Sequence, residues 1–123
     1  MMNRAIFATL VLVLGTVSSA WAARTIEQVE DAYELVLGEV SLPQRVTGTV
    51  SFRTCPTCTR TALRVTNETT YVVNGAALEF ADFLEAAEAI RQINGGNENT
   101  AVYVFVDIKS RQVNRLEVDH FNG

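Results

Sequence analysis

Residues 46–75 read VTGTVSFRTCPTCTRTALRVTNETTYVVNG. Three short strands are predicted in this stretch. Over 46–54, Val46, Val50 and Phe52 alternate with Thr47, Thr49, Ser51 and Arg53, the period-two pattern of a half-buried strand. Gly48 within that series signals a bend or a close backbone approach. A second strand over 61–66 turns Leu63 and Val65 inward, and a third spans 69–73. Asn74-Gly75 then marks a tight turn, because both central residues of a type I′ turn take positive φ. Residues 76–79 fit either a fourth short strand or the entry to a helix.

A helix is expected over 80–93. Phe80, Phe83, Leu84, Ala87, Ile90 and Ile93 form its apolar stripe, and Glu79, Asp82, Glu85 and Glu88 line the wet side. Asn94-Gly95-Gly96-Asn97 ends it. Two further strands, 100–108 and 112–119, form a hairpin through Lys109-Ser110-Arg111. In the first of these, Val102, Val104 and Val106 alternate with Tyr103, Phe105 and Asp107. Both faces are largely apolar, which predicts a central strand.

On the N-terminal side, 25–37 reads as a helix. Ile26, Val29, Tyr33 and Val36 share one face, and Thr25 and Gln28 match a capping box. Gly38 is the expected stop. The resulting fold class is α+β. The order β-β-β-α-β-β, with an added N-terminal helix, is that of a small antiparallel OB-like barrel. The alternative is an open antiparallel sheet with both helices on one face.

Residues 1–22 read as a secretory signal. Arg4 supplies the positive start, and residues 5–14 are apolar apart from Thr9. Ala20 and Ala22 place small residues at −3 and −1 of a cleavage site after Ala22. Residues 23–123 then form a single exported domain, periplasmic or secreted, with no stable membrane insertion after cleavage. Removing the leader leaves 101 residues with nine basic and fourteen acidic side chains, net −5. A domain of that size buries about two-thirds of its unfolded surface, so one covalent constraint matters to it. The acidic balance argues against a nucleic-acid partner.

The charges are segregated. Residues 23–39 and 76–98 each sum to −4, whereas 40–75 sum to +3, from Arg45, Arg53, Arg60 and Arg64 against Glu68. Arginine pairs bidentately with carboxylate and phosphate. Arg53, Arg60 and Arg64 are therefore candidates for contact with a small anionic ligand or an acidic partner protein. The bland counterpart is a solvated polar face.

Cys55-Pro56-Thr57-Cys58 is the most informative motif. As a structural disulfide it suits an oxidising compartment, with Pro56 at the second position of a β-turn. A β-turn holds its first and fourth Cα atoms within about 7 Å, inside reach of a disulfide. A redox pair is the second reading, but it wants a helix starting at Cys58 to lower a thiol pKa. A zinc knuckle is the third. A closed zinc site needs four ligands, so Cys55 and Cys58 would require a second subunit. Haem attachment is excluded, since Thr59 stands where histidine is required.

His120 is the lone histidine, so no Ser-His-Asp or Cys-His arrangement is drawn from this chain. No cofactor and no catalytic residue is expected. The expected function is a small exported binding or interaction domain with a disulfide-capped hairpin. The alternatives are a thiol–disulfide redox protein and a zinc-bridged dimer.

Overall fold

The structure, a computed structural model, describes residues 29–120. The predicted leader and the capping box at Thr25 and Gln28 lie outside the described residues. The chain order is β1 (Glu30–Val36), a single 3-10 turn (Leu37–Glu39), β2 (Val40–Ser41), β3 (Thr49–Phe52) and β4 (Thr61–Arg64). There follow β5 (Thr70–Val73), β6 (Ala76–Leu78), α1 (Phe80–Gln92), β7 (Thr100–Asp107) and β8 (Val113–His120).

β7 organises the molecule. Thr100, Val102, Val104 and Val106 point into the core and are buried, while Ala101, Tyr103, Phe105 and Asp107 face outward, half-buried. A strand apolar on both faces is stable only with a neighbour on each edge. β8 pairs with one edge through the expected hairpin, and β1 pairs with the other along seven residues, Glu30↔Asp107 to Val36↔Ala101. β5 adds to β8 in parallel and β6 to β5 antiparallel, giving the five-stranded order β1-β7-β8-β5-β6.

This arrangement corrects the expected N-terminal helix. Residues 30–36 are a strand. The segment EDAYELV carries helix-favouring Glu, Ala and Leu, yet it also alternates. A seven-residue ladder to β7 and burial of Tyr33 and Leu35 against the core override local propensity. The barrel expectation is also corrected. Among the described residues the strands form two sheets and no closed barrel, because the only backbone bridge from the second sheet, β2-β3-β4, to the first is Arg64↔Gln112.

The three-stranded sheet contributes Val40, Val50, Phe52 and Leu63 to the same core as Val102, Val104, Leu116 and Val118. Tyr33 of β1 meets Phe52 of β3 at 5.0 Å between ring centroids. α1 covers the β5 side of the inner face with Phe83, Ala87 and Ile90 buried, as the stripe predicts, but Ile93 is exposed. Asp82 in the first turn and Arg91 in the last suit the helix dipole.

Turn chemistry sets the connections. Asn74 and Gly75 take φ of 50° and 84°, the expected type I′ turn. In the β7–β8 turn the Asp107 carboxylate accepts hydrogen bonds from the Lys109 and Ser110 backbone N–H groups at 2.9 Å. The Ser110 amide, chiefly, holds the Asp107 carboxyl below its usual range. After α1, Gly96 is buried with a backbone so close to the Ile90 carbonyl that no side chain fits.

Tyr71 is 4% exposed and packs on Phe80 and Phe83 at 5.2 and 4.9 Å. Its hydroxyl finds no hydrogen-bond partner among the described residues, and burial pushes its pKa up. A buried unpartnered hydroxyl costs roughly 1–3 kcal/mol. Tyr71→Phe is therefore expected to raise thermal stability by up to about 1 kcal/mol. A denaturation midpoint measured by circular dichroism checks it, and a clear loss of stability would contradict the assignment.

Candidate functional site

The loop from Arg53 to Arg60 joins β3 to β4 and carries the cysteines. Phe52↔Thr61 is the last pair of the hairpin, so the loop projects directly from the ladder. Cys55 and Cys58 are joined by a disulfide, with their Cα atoms 5.1 Å apart. The Cys58 N–H donates to the Cys55 carbonyl at 3.1 Å, the i to i+3 bond of a β-turn. The Thr57 hydroxyl lies 3.7 Å from Cys55 Sγ. Both cysteines are half-buried, and Pro56 and Thr57 between them are exposed. No helix begins at Cys58: the chain runs through turn and coil into β4 at Thr61.

Arg60 is tied to the sheet. Its Nη2 donates to Ser41 Oγ at 2.8 Å, to Ser51 Oγ at 3.1 Å and to the Ser51 carbonyl at 3.2 Å, while Nε reaches Ser51 Oγ at 3.4 Å. Ser41 and Ser51 are register partners on β2 and β3. The guanidinium thus straps the hairpin base across the outer face of the small sheet through Nε and Nη2. Arg64 pairs with Thr49 at the opposite end of the β3–β4 ladder, away from the cysteine turn. Arg53 makes no ion pair among the described residues and stays exposed. Of the three arginines singled out in the sequence, the structure brings Arg53 and Arg60 together beside the disulfide and leaves Arg64 apart.

Two clefts share Arg53, Thr54 and Glu39. The smaller, about 340 Å³, is completed by Cys55, Pro56 and Arg60. The larger, about 740 Å³, is lined by residues from the end of β1 and the start of β7, with Glu34, Leu35, Val36, Glu98, Asn99 and Ala101 among them. The walls are pinned. The Gly38 N–H donates to the Asn97 carbonyl at 3.1 Å. Arg91 Nη2 donates to the Val40 carbonyl at 3.0 Å, and its Nη1 to Asn97 Oδ1 at 3.4 Å. Thr100, buried in the cleft lining, lies 2.8 Å from His120 Nδ1. The lone histidine is therefore a half-buried partner of a core threonine.

Glu39 and Glu98 were not singled out in the sequence. Glu39 follows the glycine read as a helix stop, and Glu98 sits in a loop between predicted elements. Only the pairing of β1 with β7 brings both to Arg53, and no spacing along the chain signals that.

Among the described residues no group of His, Cys, Asp and Glu is arranged to hold a metal ion. No helix among them is long and apolar enough to cross a membrane. No family model, curated protein or solved structure matches the chain.

The disulfide closes a loop of only four residues, so chain-entropy scaling puts its stabilisation at about 2 kcal/mol. Replacing Cys55 and Cys58 together by Ser should lower stability by about that amount and leave the far-ultraviolet circular dichroism unchanged. Loss of the folded spectrum would show that the turn needs the bond to form.

Proposed function

We propose that this chain is a small exported, non-catalytic binding domain, periplasmic or secreted, whose disulfide-capped hairpin forms the rigid rim of a binding cleft. The single observation behind it is the juxtaposition of the closed Cys55–Cys58 turn with the uncommitted guanidinium of Arg53 at the mouth of both clefts. A disulfide suits an oxidising compartment and agrees with the leader read in residues 1–22. The turn is held by its own bond, by the Cys55–Cys58 hydrogen bond and by the Arg60 strap, so little ordering is left to occur on binding.

Arg53 is the residue that would meet a carboxylate or phosphate of a small ligand or partner protein, because Arg60 is already engaged with Ser41 and Ser51. Glu39 beside it favours ligands that also carry a hydrogen-bond donor or a positive group. Thiol exchange is the less supported reading: the turn has no helix N-terminus to stabilise a Cys55 thiolate. A zinc bridge would need both sulfurs as thiolates, whereas here they are bonded to each other.

Expression with the native leader in a bacterial host, followed by alkylation without reductant and intact mass, tests the first half of the proposal. The expected species starts at Ala23, lacks two hydrogens and takes up no label. Citrate titration followed by amide chemical shifts tests the second half. Shifts at Arg53, Thr54 and Glu39 are expected, and Arg53→Ala should abolish them. A retained leader with two labelled thiols, or citrate shifts indifferent to Arg53→Ala, would overturn it.

A further inference from the structure

The outer face of the five-stranded sheet carries no packed layer from the described residues, and its side chains are half-buried or exposed. Strand register arranges them in rows. One row crosses the sheet as Glu34, Tyr103, Glu117, Val72 and Ala77. The row beside it runs Ala32, Phe105, Arg115 and Thr70, and on the other side lie Val36, Ala101 and Asp119. Tyr103 therefore has Glu34 and Glu117 as direct neighbours and Asp119 on the diagonal, within side-chain reach.

The adjoining row contains a filled version of this arrangement. The Arg115 guanidinium lies 4.0 Å from the Phe105 ring centroid, and its Nε pairs with Glu117 at 3.0 Å. A cation over an aromatic ring, held by a carboxylate, is a favourable set. Tyr103 with Glu34 and Asp119 repeats the ring and the carboxylates without the cation. Neither Glu34 nor Asp119 forms an ion pair among the described residues. The charge of Glu34, then burial, then the charge of Asp119 push the Tyr103 hydroxyl above its ordinary range, so the field at this ring is negative.

We propose that this sheet face docks a basic segment of a partner protein, with an arginine or lysine side chain laid over Tyr103 and paired with Glu34 and Asp119. Charge complementarity selects the occupant. Nucleic acid and anionic lipid are repelled by the same carboxylates. Ala101 next to Tyr103 on β7, Ala32 in the adjoining row, and Val72 and Ala77 further along its own row are short side chains that leave the face open to a macromolecule. This surface borders the larger cleft at Glu34 and Ala101, but the contact proposed here does not use Arg53.

The test is a titration of the isotope-labelled purified protein with an acetylated octapeptide of alternating Gly and Arg at low ionic strength, read by amide shifts. Shifts are expected at Tyr103, Phe105 and Glu117, weakening as salt is added. The pair Glu34→Gln and Asp119→Asn should weaken binding about fivefold or more, whereas Glu79→Gln, at the start of α1, with Glu85→Gln on the helix, an equal loss of charge, should leave it unchanged. Absence of binding, equal weakening by both pairs, or association of the protein with itself through this face in sedimentation would overturn the proposal.

Discussion

The constraint on which the structure depends is the two-faced apolar character of β7. Val102, Val104 and Val106 on one face and Tyr103 and Phe105 on the other leave no orientation in which the strand can stand at an edge. Burying one valine fully is worth about 1.5–3 kcal/mol, and three lie in a row here. β8 is tethered by a short turn and takes one side. β1, some seventy residues earlier, must take the other, which closes the sheet and carries the chain past the inner face. From Val36 onward the chain crosses that face and lays down β2, β3 and β4 there.

The two sheets are then joined by few but well-satisfied contacts. Tyr33 against Phe52 joins them through the core. Arg91 joins α1 to β2 through the Val40 carbonyl, and buried Thr69 accepts from the Thr66 N–H while donating to the Val113 carbonyl at 2.8 Å. Buried polar groups are tolerated because they are paired. These ties decide where the cysteine turn sits: the β3–β4 tip overhangs the end of β1, so Arg53 faces Glu39 and the α1–β7 loop. The candidate site is a by-product of the pairing that satisfies β7. Its rigidity comes from the disulfide and the Arg60 strap.

Much of the local structure was legible because local chemistry decides it. Asn74-Gly75 announced its turn, and the stripe of Phe83, Ala87 and Ile90 announced α1. Val50, Phe52, Leu63 and Val65 all fell on the buried side. The sequence of β6 suits a strand or a helix entry equally, because three residues are too few for a pattern to decide. The N-terminal segment misled because Glu30, Ala32, Glu34 and Leu35 favour a helix, and Val29, Tyr33 and Val36 supply a helical spacing by accident. Tyr33 and Leu35 also satisfy a strand, and only the distant partner in β7 selects it. In the site, the cysteine turn was readable from four adjacent residues. The hydroxyl pair that holds Arg60 was not, since Ser41 belongs to a two-residue strand that no periodicity reveals.

The pairing of β1 with β7 therefore carries the whole account, and backbone nuclear magnetic resonance tests it most directly. Residues 30–36 should show extended-chain chemical shifts, with cross-strand contacts between Tyr33 and Val104 and slow amide exchange along β7. Helical shifts over 30–36, with fast exchange on the β7 edge that faces them, would contradict it.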